Sequence, residues 1–185
     1  MKLTQKASHT NLSSVAARAL AFALSVSLSA IVALLGFSID LSGQMPAALA
    51  DNYEKATLFD RDLSDKDLTD SNFTLATLRK CDLHGANLTG VRLFRTKLME
   101  VDLQGADLRY ATLDSALLSK SNLNNANLEG AFAYHTRFEG TTIEGADFTD
   151  VLLRDDALQT LCSIASGTNP ETGRDTRETL LCDYL

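Results

Sequence analysis

Large apolar residues recur every five positions through the middle of the chain. Leu58, Leu63, Leu68, Phe73, Leu78, Leu83 and Leu88 open the series, and Leu93, Leu98, Leu103, Leu108, Leu113, Leu118, Leu123 and Leu128 continue it without a slip. Ala133, Phe138, Ile143, Phe148, Leu153 and Leu158 hold the same register, so 21 consecutive positions are in phase and only Ala133 is small. An amphipathic helix needs a spacing near 3.6 and a half-buried strand a spacing of about 2. A period of five fits neither, and it marks an internal repeat.

Two residues before each large residue the side chain is small from Ser71 onward, as at Ala76, Cys81, Ala86, Val91, Thr96, Val101 and Ala106. Two inward positions in every five describe a chain that turns a corner every five residues and closes a coil in twenty. Such coils stack through backbone hydrogen bonds about 4.8 Å apart. Residues twenty apart then form columns, for example Phe73, Leu93, Leu113, Ala133 and Leu153. Phe138 and Phe148 are expected to supply the volume that Ala133 lacks, because stacked cores leave no slack. Gly85, Gly90, Gly105, Gly130, Gly140 and Gly145 sit two after the large residue, where a corner needs unusual dihedrals. Asn and Asp recur just before it, as at Asp82, Asn87, Asp102, Asp107, Asn122 and Asn127, where they can bond the turn's backbone.

The leading segment follows a different pattern. Lys2, Lys6 and Arg18 are the only basic residues in 1–50, residues 19–39 carry no charge, and Pro46-Ala47-Ala48-Leu49-Ala50 precedes Asp51. A basic flank, an apolar stretch and a small-x-small triplet have the layout of a secretory signal, with cleavage expected after Ala50. The alternative is a retained membrane anchor, since residues 19–39 are long enough to span a bilayer. Either way the rest of the chain lies outside the cytoplasm.

With 17 basic and 24 acidic residues the chain carries a net charge of -7, and residues 51–185 alone carry 14 and 23. Direct nucleic-acid binding is not expected of so acidic a surface.

Ala86-Asn87-Leu88-Thr89-Gly90, Ala106-Asp107-Leu108-Arg109-Tyr110 and Ala126-Asn127-Leu128-Glu129-Gly130 resemble the motif of pentapeptide-repeat proteins, across residues 58–158. The resemblance implies an all-β solenoid, a right-handed quadrilateral β-helix, with a short α-helical C-terminal cap. Arg61 and Lys66 depart from it, standing where a small residue belongs. Residues 51–70 are therefore expected to form an irregular cap and first coil, or one whose long side chains escape to solvent, 71–155 the regular β-helix and 156–185 the cap. The tail, from Asp156 through Ser166-Gly167-Thr168-Asn169-Pro170 to Leu180-Leu181-Cys182, resembles that of the lumenal pentapeptide proteins of cyanobacteria and chloroplasts. That implies a thylakoid-lumenal or periplasmic address and hands over no activity.

Cys81 occupies a small inward position and reads as a buried thiol. Ala157, Leu158, Leu161 and Cys162 share one helical face, and a second helix is expected near Arg174 with Leu180 and Leu181 docking back. In an exported protein a Cys162–Cys182 disulfide would pin that cap. A redox-sensing role for the pair is the sharper alternative.

His9, His84 and His135 form no ligand set, and no metal-spaced cluster, nucleophile elbow or phosphate loop stands out. No cofactor and no enzymatic activity are expected. Outward apolar positions are more informative. Phe94, Met99, Leu117, Phe132 and Tyr134, with Arg92, Lys97 and Arg137 around them, form the candidate interaction surface, and Leu152 lies on the same side as Phe132. The expected function is a non-catalytic structural or interaction scaffold exported to the lumen or periplasm. Its partner is an unknown protein, a thylakoid membrane complex or a second copy. One alternative is a DNA-mimic protein that binds a type II topoisomerase, and another is a redox-responsive module.

Overall fold

The computed structural model describes residues 52–184. The signal or anchor expected in residues 1–50, and its cleavage, lie outside the described residues. From Asn52 the backbone winds in coils of twenty residues, each with four faces of five. Numbered in chain order, the first face carries Phe73, Leu93, Leu113 and Ala133 inward, the second Leu78, Leu98, Leu118 and Phe138, the third Leu83, Leu103, Leu123 and Ile143, and the fourth Leu88, Leu108, Leu128 and Phe148. All of these are buried.

The second face is a five-stranded parallel sheet of β1 (Thr57–Phe59), β2 (Thr77–Arg79), β3 (Lys97–Met99), β4 (Leu117–Ser119) and β5 (Arg137–Glu139), in sequence order. Each strand pairs with the next at an offset of one coil, so Leu58 faces Leu78 and Leu98 faces Leu118. Elsewhere one residue per face forms the bridge, such as Asp82 to Asp102 and Thr112 to Phe132. Bonds run both ways between coils: Leu83 N–H donates to Asp102 O at 2.7 Å, and Asp82 N–H donates back to Arg61 O at 2.9 Å.

On the first, third and fourth faces the inward residue also accepts a bond from the residue three ahead, as Leu83 does from Ala86 at 3.1 Å. The third residue of these turns lies in the left-handed region, and so do the corners of the second face. Glycine is at home there, but Leu75 (φ 60°), Lys80 (54°), Glu100 (56°) and Tyr110 (58°) adopt the same conformation. A left-handed non-glycine residue costs about 1 kcal/mol. Stacking imposes it, because most corner N–H groups donate to the next coil, as Leu75 does to Phe94 O at 3.0 Å. Among the corners of the described coils His135 alone is not left-handed, and its N–H donates to Asp114 Oδ1 at 3.2 Å.

Small inward residues fill the corners, and their hydroxyls are bonded. Thr96 and Thr136 donate at 2.7 Å to Phe73 O and Leu113 O of the preceding coil. Cys81 is buried and joins no disulfide. Beside Ala133, Phe138 and Phe148 meet edge to face across the coil, with centroids 6.4 Å apart. Residues 52–70 hold the same register as later coils, and Arg61 and Lys66 reach solvent.

The five-residue register ends at Leu153. Helix α1 (Asp155–Cys162) follows, so Leu158 packs against the core from a helix and not as a last repeat position. Leu161 is buried completely. Helix α2 (Thr176–Thr179) is capped by Asp175, which accepts from Arg177 N at 2.9 Å, and a 3₁₀ turn spans Cys182–Tyr184. Leu180 docks on the core, but Leu181 corrects the expectation: it is 61% exposed, because its left-handed φ of 55° turns the side chain away. A Cys162–Cys182 disulfide ties α1 to the final turn across 20 residues.

Candidate interaction surface

The third and fourth faces are polar, and their polar groups serve the fold. The residue before each inward position accepts the N–H two residues ahead: Asp82 from His84 at 2.9 Å, Asp102 from Gln104 at 3.0 Å, Asn127 from Glu129 at 3.0 Å. Stacked side chains also bond between coils, as Asn122 Nδ2 does to Asp102 Oδ1 at 3.1 Å.

The cap fastens to these same two faces. Buried Asn169 donates its amide to Asn125 O at 3.1 Å and Ala126 O at 3.3 Å, while its own carbonyl oxygen accepts from Glu171 and Thr172. Arg174 donates to Glu129 at 2.9 Å, to buried Asp147 at 3.1 Å and to Thr149 at 2.9 Å. Thr179 accepts the Phe148 N–H at 3.1 Å. Burial works against the charge on Asp147. Bonds from Thr149 and Thr172 and the charge of Arg174 outweigh it, holding the carboxyl below its ordinary value. Sequence spacing gave no sign that Asn169 and Arg174 fasten the cap, because the coil groups they bond lie more than twenty residues away.

Outward residues of the first and second faces have a different character. The structure divides the predicted set into two groups. At the C-terminal end of the first face Phe132 is bridged to Leu152, with Tyr134 beside them, and all three are at least half exposed. Tyr134 borders an open hollow with Leu153, Arg154, Asp155 and Asp156. Its ring meets His135 edge-on at 4.7 Å, and the His135 ring lies 3.2 Å from Asp114. Leu117 and Arg137 are register partners on β4 and β5 of the adjoining face; Leu117 is half-buried, and Arg137 is exposed and pairs with Glu139 at 3.5 Å. The second group lies toward the N-terminal coils: exposed Arg92 and Phe94 on the first face, exposed Lys97 and half-buried Met99 on β3.

Exposed Phe59, Leu75 and Tyr110 belong beside these and were missed. Their phase held the signal, since Phe59 falls one after an inward residue and Leu75 and Tyr110 fall on corners. Among the described residues no group of His, Cys, Asp and Glu is arranged to hold a metal ion.

The geometry has relatives. The pattern of a pentapeptide repeat region matches residues 71–148. The crystal structure of a pentapeptide repeat protein from the thylakoid lumen of Arabidopsis thaliana is 41% identical, covers 78% of this chain and 99% of its own, and superposes with a TM-score of 0.70. This chain belongs to the pentapeptide-repeat family. In pentapeptide-repeat terms, the first and second faces are two sides of one quadrilateral solenoid whose interior is common to all four.

Two further Arabidopsis relatives match over shorter stretches. The thylakoid lumenal 15 kDa protein 1 of the chloroplast is 57% identical over 49 residues, which is 26% of this chain and 22% of that protein. The thylakoid lumenal protein TL20.3 of the chloroplast is 54% identical over 43 residues, 23% of this chain and 15% of that protein. The matched stretch thus spans under a quarter of either curated relative.

Proposed function

We propose that this pentapeptide-repeat chain is a non-catalytic scaffold of the thylakoid lumen that docks a protein partner through the C-terminal end of its first face. Phe132, Tyr134 and Leu152 form the centre of the contact, with Leu117 and Arg137 at its rim. The observation that carries this reading is three large side chains brought together at half exposure, on a face whose outward residues take no part in fastening the cap. A grouped apolar patch is what a docking site presents, whereas scattered exposed residues need no function. A subunit of a thylakoid membrane complex is the partner in view. The lumenal address is supported by the lumenal names of three relatives and by the signal-like residues 1–50, with cleavage after Ala50.

Two measurements test this. Intact mass and N-terminal sequencing of protein from fractionated cells should give a lumenal chain beginning at Asp51. A chain retaining Met1 in the cytoplasm would reject the address. A photo-crosslinking side chain at Phe132 should trap a discrete protein in intact membranes, while the same group at Thr89 on the fourth face should not. Equal trapping at both positions would reject the docking surface.

A further inference from the structure

In a chain of net charge -7, basic side chains have carboxylates close at hand on most of the surface. On the fourth face and in the cap most of them pair, Arg109 with Asp107 at 2.6 Å, Arg174 with Glu129 and Asp147, Arg177 with Asp183 at 3.4 Å, while Lys66 stands alone among Asp67 and Asp70. A different situation holds on the second face, its two corners and the neighbouring first face. There Arg79, Lys80, Arg92, Arg95, Lys97 and Lys120 are exposed, and among the described residues none has a carboxylate within ion-pair distance. Phe59 (56% exposed), Leu75 (43%) and Phe94 (37%) are interleaved with them, and the Arg95 guanidinium stands 5.5 Å from the Phe94 ring. The fourth face, on the opposite side of the coil, carries Asp67, Asp107, Asp147 and Glu129. Asp60, Glu100 and Glu139 share the second face and its corners, the last paired with Arg137, but cations outnumber them, so an acidic protein has one face of net positive charge.

We propose that the second face, together with the corner it shares with the first, lies against the anionic headgroup layer of a lipid bilayer. Phe59, Leu75 and Phe94 enter the interface, and the acidic fourth face points away. Charge complementarity selects the occupant. The free cations are spread over three successive coils and both corners and do not converge on a point, so each meets a diffuse planar charge independently, as basic residues do at an anionic leaflet. Single apolar side chains among Lys and Arg suit the boundary between headgroups and acyl chains. A protein contact would call for a contiguous apolar centre, and that lies elsewhere, at Phe132, Tyr134 and Leu152. The inference goes beyond the docking function and does not rest on it. The docking centre, Phe132, Tyr134 and Leu152, lies on the first face in later coils than these cations and meets the second face only at its rim, Leu117 and Arg137, so a chain lying on the bilayer keeps that centre free.

The test is co-sedimentation of the full-length chain with vesicles of phosphatidylcholine alone, or mixed with an equal amount of phosphatidylglycerol. Two charge-matched triple variants are compared: Arg79→Glu/Lys97→Glu/Lys120→Glu on the second face, and Arg61→Glu/Lys66→Glu/Arg109→Glu on the other side. All six positions are exposed, and circular dichroism verifies that both variants fold. Residues 1–50 are common to all the chains, so their own affinity for lipid cancels in the comparison. The wild type should prefer phosphatidylglycerol vesicles by about tenfold or more, and lose that preference as salt rises. The second-face variant should lose about tenfold in partitioning, and the matched control less than about threefold. An equal loss in both variants would mean that net charge alone acts, and would overturn the proposal. So would the absence of any phosphatidylglycerol preference. Binding to polyglutamate that depends on the second face, without binding to vesicles, would assign this face to an acidic protein and overturn the lipid reading.

Discussion

The third and fourth faces differ from the first and second in what their outward side chains do, although the four share one interior. On the third and fourth, Asp and Asn hold the turns, stacked amides bond between coils, and the cap is fastened through Asn169 and Arg174. The first and second present exposed rings and cations, most of them unpaired, and Asn holds a first-face turn only in the first two coils, at Asn52 and Asn72. A closed solenoid needs little from its outward positions, because ladder and core are complete without them. One side of the cross-section can therefore be given to holding the molecule together, and the other left for contacts.

That contrast can be broken most strongly at the cap. The Cys162→Ser/Cys182→Ser variant should lose about 3 kcal/mol, as expected for a cross-link closing a loop of 20 residues. Denaturant melts of wild type with and without dithiothreitol should reproduce the loss. Identical midpoints would show that the packing of Leu161 and Leu180 alone secures the end.

Asp147→Ala comes next, at about 2 kcal/mol, since it strips the Thr149 amide and hydroxyl and Arg174 of one buried partner. Its effect should depend on pH. A carboxyl held below its ordinary value contributes fully above about pH 4, and the contribution is lost as pH falls through the depressed value. Wild-type and variant melting temperatures should therefore converge on acidification below about pH 4. A constant gap would contradict the role of the charge.

A smaller effect sharpens the comparison between faces. Asn127→Ala removes the acceptor of the Glu129 N–H and should cost about 1 kcal/mol. Thr112→Ala, in the same phase on the first face, removes no turn bond and should change stability by less than about 0.5 kcal/mol. Equal losses would erase the distinction. Smallest of all should be Phe132→Ser/Tyr134→Ser, within about 0.5 kcal/mol in urea melts while the crosslinked partner is lost.

The coils were legible because they obey a local rule. The series from Leu58 to Leu153 faces inward, and from Ser71 onward the partner two residues earlier is small for a steric reason that the sequence displays. The cap obeys no period. Leu181 looked like a docking residue beside Leu180, and one left-handed backbone angle reversed it. Arg174 and Asn169 read as loop residues, because their partners, Glu129, Asp147 and Asn125, are set by how the tail folds back. The corners fell between these cases. Their phase was visible, but Leu75 and Glu100 show the ladder overriding local preference at sites where glycine would be expected. The candidate surface was legible by phase, and Phe59 and Leu75 escaped only for want of carrying the phase to the corners and the first coil.

Register at an offset of one coil has a consequence for how such a chain can change length. An insertion of 20 residues adds a storey and leaves every later side chain above its old column. One of five residues also preserves the ladder and the core, yet turns everything downstream by a quarter revolution. Phe132 would then leave the side that holds Arg92 and stand above Lys97. Compass bearing around the axis is thus counted in residues modulo 20, and an indel too mild to unfold the protein could still swing its two working ends out of alignment.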